Sequence, residues 1–243
     1  MRKVWMGTAA VAALILVAAG GWMGLSGDAA TAPQPVTRAV ESDGAAAPQP
    51  TASAKQAAAQ LAQKAGQPEI RPEDHVLGNP DAPVTIIEYA SFTCPHCAHF
   101  HTETLPKLKS EYIDTGKVRL VFRDFPLDQL ALRASVLAEC MPDDRYFNMV
   151  DVLFRTQSDW ARAADPVAAL EQLGRTAGLG KEAFDRCMAD EELVNDIVAG
   201  FQEAQNEFGI RSTPSFVVNG TTHAGALPFE EFREILEEQL PES

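Results

Sequence analysis

Cys94-Pro95-His96-Cys97 sets two thiols three residues apart, with an imidazole beside the second. If the run opens a helix, the sulfurs come within reach of each other, because bridged cysteines have Cα atoms roughly 4.4 to 6.8 Å apart. The pair can then alternate between dithiol and disulfide and exchange that disulfide with other thiols. A Cys94 sulfur at the first helical turn faces unpaired N–H groups and the positive end of the helix dipole, which favours thiolate over thiol. His96 adds a further donor or positive charge beside that thiolate. Stabilising the reduced form in this way makes the disulfide a stronger oxidant.

The same residues admit a different chemistry. Cys94, His96, Cys97, His99 and His101 crowd into one short stretch, and Cys97 and His101, four apart, share a helix face. Thiolate and imidazole together suit zinc or copper. No second ligand pair occurs downstream, however, and a structural zinc normally takes four ligands. The redox reading is therefore preferred, with no metal and no organic cofactor expected, and His99 and His101 are expected to be partly exposed helix residues.

Redox chemistry at Cys94 requires a buried strand ending just before it and a helix beginning at it. Val84 to Ser91 is rich in β-branched and aromatic residues and comes after the turn-like run Gly78 to Pro83, so it is expected as a strand. Both of its faces are apolar, which points to a central position covered on both sides. A helix is expected from Pro95 to about Asp114, with Pro95 harmless in the first turn and Pro106 kinking the middle. Lys117 to Phe122 is a second strand, parallel to the first through this helical crossover.

Five helices are expected next, at about 128–140, 145–158, 166–177, 181–190 and 191–207. Trp160, Tyr146, Phe147 and Phe154 fall at helical spacings as core residues. Strand character returns at Ser215 to Val218, and Asn219-Gly220 signals a hairpin into Thr221 to Ala224. A last amphipathic helix runs from Pro228 to Leu240. The order strand, helix, strand, helical block, hairpin, helix describes an α/β core carrying an all-helical insertion. His223, a single histidine after the hairpin, is assigned no role.

Phe92-Thr93-Cys94-Pro95-His96-Cys97 after Ile86-Ile87-Glu88-Tyr89, together with Ser212-Thr213-Pro214-Ser215-Phe216 before Val217-Val218-Asn219-Gly220, resembles the DsbA-type thiol-disulfide oxidoreductases of the thioredoxin superfamily. The resemblance extends over about 76–240. It implies a thioredoxin-like fold, with a core at about 76–126 and 209–240 and the helical insertion at about 127–208. It also implies roles by position: Cys94 as nucleophile, Cys97 as resolving thiol, and Pro214 as a cis proline facing them. Thr213 would then offer backbone groups to an extended client peptide. Sequence alone does not establish this isomer, a trans proline opening an edge strand being the alternative.

Glu88, six residues before Cys94, stands where the family carries an acidic residue beneath the redox pair. It shares a strand face with Val84, Ile86 and Ala90, so a carboxyl there is suited to relay a proton for Cys97, an edge-facing glutamate being the alternative. Some DsbA-type proteins carry a second, non-catalytic disulfide, and the resemblance implies one between Cys140 and Cys187; two buried free thiols are the alternative. Thr213 departs from the valine that the best-known oxidases of the family carry before the cis proline. That leaves a reductase or isomerase of exported disulfides open beside the oxidase.

The first 70 residues have another character. Arg2 and Lys3 precede a nearly uncharged apolar run from Val4 to Leu25, the layout of an export signal or signal anchor spanning 1–25. Either way the rest of the chain is expected outside the cytoplasm, in the periplasm or an equivalent space. Residues 26–70, dominated by Ala, Pro, Gln, Ser and Thr, form a tether with a short helix possible at 52–65. From Arg71 onward 15 basic residues stand against 30 acidic ones, which disfavours nucleic acid as a partner. The expected partners are exported proteins with cysteine thiols and a membrane redox protein that recycles the pair.

Overall fold

A computed structural model describes residues 68–241. The export signal, nearly all of the tether and its short helix lie outside the described residues. The strands are β1 (His75–Leu77), β2 (Val84–Ala90), β3 (Val118–Asp124), β4 (Ser215–Val218) and β5 (Thr221–Ala224). Between β2 and β3 runs α1, which joins Pro95–His99, Phe100–Thr104, Leu105–Leu108 and Lys109–Ile113 end to end. After β3 come α2 (Gln129–Glu139), α3 (Asp143–Arg155), α4 (Gln157–Ala161), α5 (Pro166–Thr176), α6 (Lys181–Met188) and α7 (Glu191–Asn206). The final helix is α8 (Phe229–Gln239). No helix among the described residues is long and apolar enough to cross a membrane.

The sheet has the order β1-β3-β2-β4-β5, with β2 parallel to β3 and the other pairings antiparallel. The apolar run of β2 is central because only there can both of its faces be covered. On one face Val84, Ile86, Leu120 and Phe216 pack against Phe100 and Leu108 of α1 and Phe232 and Leu236 of α8. On the other, Ile87, Tyr89, Val121 and Val217 meet Phe201 and Ala204 of α7. A third cluster gathers Phe92, Cys94 and Cys97 with Leu137, Leu153, Phe154 and Trp160 of the inserted helices. Asn219 and Gly220, at φ 42° and 91°, turn β4 into β5, the backbone that a two-residue hairpin requires.

Four local expectations change. β1 was missed, since three residues give too short a run for alternation to register; it is anchored by Gly78, at φ 103°, where a Cβ would come within 2.7 Å of Ile113. β3 begins one residue later than expected and runs two further, to Asp124. Around Pro106 the helix widens to π-type turns at Phe100–Thr104 and again at Lys109–Ile113. Wide turns are one way to absorb a proline, which cannot supply its own N–H to the ladder. The helix expected at 145–158 instead spans Asp143–Arg155 and breaks at Thr156, so that Gln157 starts a separate short helix.

Candidate active site

β2 ends at Ala90, and the chain turns through Ser91, Phe92 and Thr93 to Cys94, which sits with extended backbone at the head of α1. Several inserted-helix groups hold this turn. Gln157 Nε2 donates to the carbonyls of Phe92 at 2.7 Å and of Cys94 at 2.9 Å. Thr93 Oγ1 donates to Asp128 at 2.7 Å, and Asp128 in turn caps α2 by accepting from the Ala131 N–H. Nothing in the sequence singled out Gln157, because its partners are backbone carbonyls 65 and 63 positions away.

Cys94 and Cys97 are both free and buried, so the site is in its dithiol form. The Cys94 thiol donates to the Thr213 carbonyl at 3.4 Å. The Thr213–Pro214 peptide bond is cis, and β4, starting at Ser215 opposite Tyr89 of β2, brings this segment beside the redox turn. The Thr213 hydroxyl is buried with no hydrogen-bond partner among the described residues, yet it lies close enough to the Cys94 sulfur to act on it.

The two sulfurs are set far apart in acidity. A hydrogen bond from the Cys97 thiol, with smaller contributions from the Thr213 side chain and the N–H groups of Cys97 and His96, lowers Cys94 to about 5 against the opposing effect of burial. Burial pushes Cys97 far up, and its hydrogen bond to Cys94 and the nearby Glu88 charge push it further. The helix start thus contributes through two N–H groups, but the second sulfur contributes more. His96 acts through its backbone; its ring is exposed and makes no hydrogen bond among the described residues.

Glu88 is fully buried, and its company is not only apolar. Both of its carboxylate oxygens lie 3.0 to 3.1 Å from His101 Nε2. His101, expected near the surface, is 2% exposed, because the wide turn at Phe100–Thr104 faces it inward. Its ring stacks on Phe154 at 4.1 Å between centroids. The spacing of four from Cys97 was the available signal, and the face it marked is the buried one. His99 stays exposed, as does His96, so the potential metal donors diverge, and no cluster of three such groups suited to a metal occurs among the described residues. The zinc or copper reading is accordingly not supported. Cys140 and Cys187 are joined by a disulfide with Cα atoms 6.2 Å apart, linking the end of α2 to α6.

Comparison with known proteins agrees with this geometry. A sequence model of the thioredoxin family matches residues 71–238. A relative from Rickettsia bellii whose name carries the words protein-disulfide oxidoreductase is 35% identical over 153 residues, which are 63% of this chain and 59% of that one. The chain thus spans less than two thirds of the length of that relative. The crystal structure of Wolbachia pipientis alpha-DsbA1 is 33% identical, with 73% of this chain and 94% of that one covered and a TM-score of 0.67. BdbD from Bacillus subtilis, at 24% identity, shares the fold with a TM-score of 0.65 over 72% of this chain and 96% of that one. With a parallel β2-α1-β3 unit, an all-helical insertion and a hairpin returning beside the cysteine turn, the chain belongs to the thioredoxin family, among the DsbA-type thiol-disulfide oxidoreductases.

Proposed function

We propose that this chain is a thiol-disulfide oxidoreductase that donates its Cys94–Cys97 disulfide to exported proteins. The observation that carries this reading is the free Cys94–Cys97 pair at the head of α1 beside the cis Thr213–Pro214 bond, a geometry that holds one thiol at about 5 and pushes its neighbour far up. A client thiolate attacks the Cys94 sulfur, the Cys94–Cys97 bond breaks, and its electron pair leaves on Cys97, which is protonated. A second client thiolate then attacks the client sulfur of the mixed disulfide and expels Cys94 as a stable thiolate. Two electrons pass from client to enzyme, and the client leaves with a disulfide. The well-stabilised Cys94 thiolate favours the reduced enzyme and hence oxidation of the client.

In this reading Cys94 is the nucleophile and leaving group, Cys97 the resolving thiol, and Glu88 the proton relay beneath them. Thr213 and Pro214 present backbone to an extended client. A membrane redox protein restores the disulfide, and the apolar N-terminal run exports the chain. Thr213, in place of the valine of the best-known oxidases, favours a second reading as reductase or isomerase. Equilibrating the Cys94–Cys97 pair with defined glutathione mixtures separates the two. A potential well above the cytosolic glutathione poise, with oxidation of a reduced peptide, supports the oxidase; a potential near that poise rejects it for the reductase.

A further inference from the structure

Glu88 and His101 form a buried polar pair beneath the redox sulfurs, 0% and 2% exposed. Such a pair contributes little as structure, because desolvating two ionisable groups offsets most of their attraction and apolar residues at such sites commonly serve stability as well or better. The surroundings are already apolar: Val84 and Ile86 precede Glu88 on its strand face, and His101 lies among the rings of Phe100, Phe122 and Phe154. The pair is also close to a reacting atom. The Glu88 charge acts on Cys97, and His101 comes four residues after Cys97 on α1.

We infer that His101 is a positioning residue for the exchange proposed above, fixing the Glu88 carboxyl with Nε2 and holding on the pair the proton that Cys97 takes up. When the Cys94–Cys97 bond breaks, Cys97 leaves with the electron pair. One proton passes from the pair through the carboxyl to that sulfur. A neutral thiol and the pair less one proton remain, so charge is conserved. In the return direction the pair receives the proton. The other groups whose charges reach this region are the Tyr146 phenol on α3, on which Glu88 acts, and Asp124 of β3 and Glu139 of α2, which act on the same phenol.

The test is the pH dependence of the rate at which a reduced peptide reduces the enzyme disulfide, measured on the full chain and on His101→Gln. Glutamine keeps a donor toward Glu88 but carries no proton to give. The rate for the unsubstituted chain is expected to show a pH-dependent limb set by the proton that the pair supplies. His101→Gln loses that limb while the Cys94 thiolate midpoint stays at about 5. Glu88→Gln loses the same limb, and the double variant loses nothing more. Identical profiles for the unsubstituted chain and His101→Gln overturn the inference while peptide oxidation by the unsubstituted chain leaves the oxidase reading standing. Absence of that oxidation overturns the oxidase reading, and the inference with it. Should the variants fail to fold, ring nitrogen shifts of His101 in the unsubstituted chain decide: a change in ring protonation between disulfide and dithiol forms supports the relay, and an unchanged ring overturns it.

Discussion

Cys94 and Cys97 look equivalent as letters, yet only one of them meets a reagent at neutral pH as an anion. Ultraviolet titration of the dithiol form should show one thiolate appearing with a midpoint of about 5, and an alkylating reagent should label Cys94 alone. Thr213→Val removes a hydroxyl that helps to hold that thiolate, so the midpoint should move up. Because the folded-state value lies below the ordinary 9.0, the stability that this thiol lends the dithiol form is full above 9.0 and is lost as pH falls through about 5. Denaturant midpoints of the reduced chain, taken on either side of that value, check the sign. At this scale the sequence already marked Cys94, Cys97, Glu88, Thr213 and Pro214. It could not mark the direction in which His101 points, since four-residue spacing defines a helix face and leaves open whether sheet or solvent lies against it.

The elements that hold the site were legible where their pattern is long. β2 and α8 announce themselves through apolar runs and a stripe at Phe229, Phe232 and Leu236, whereas β1 owes its existence to pairing with β3. The break at Thr156 was hidden as well, because helical letters continue through it and only tertiary contacts on either side separate α3 from α4. That break matters, since it starts α4 at the residue that grips the cysteine turn. Gln157→Leu should leave two carbonyls of the turn without their donor and lower stability by about 1–3 kcal/mol. Hydrogen exchange at Cys97 and Ala98 should quicken in the same variant, while the thiols remain able to exchange; unchanged exchange there would show that α4 does not hold the turn.

Across the whole chain, the insertion is tied down by covalent and ionic means. The Cys140–Cys187 bridge closes a separation of 47 residues, and replacing both cysteines by alanine should lower unfolding stability by up to about 4 kcal/mol on loop-entropy grounds. On the sheet side, Asp124 and Glu139 line a cavity of about 230 Å³ together with His75 and Arg123. Burial first, then the Glu139 charge, raises the Asp124 carboxyl to about 8. His75 is raised too: burial opposes, but its hydrogen bond to Glu139 and the surrounding carboxylates prevail. Both groups bind protons more firmly folded than unfolded: the contribution of Asp124 is full below its ordinary 3.8 and is lost as pH climbs through about 8, and that of His75 is likewise lost as pH rises through its raised value. Asp124→Asn should flatten most of that decline, between the ordinary 3.8 and about 8, in a denaturant series. Trp160, the sole tryptophan among the described residues, is enclosed in the same cluster as both redox sulfurs, with its indole N–H fixed on the Leu153 carbonyl. The protein therefore carries its own optical gauge. With Trp5 and Trp22 replaced by phenylalanine, closure of the sulfur–sulfur bond should dim the remaining emission by placing a quencher in that enclosure, and each turnover becomes visible without an added label.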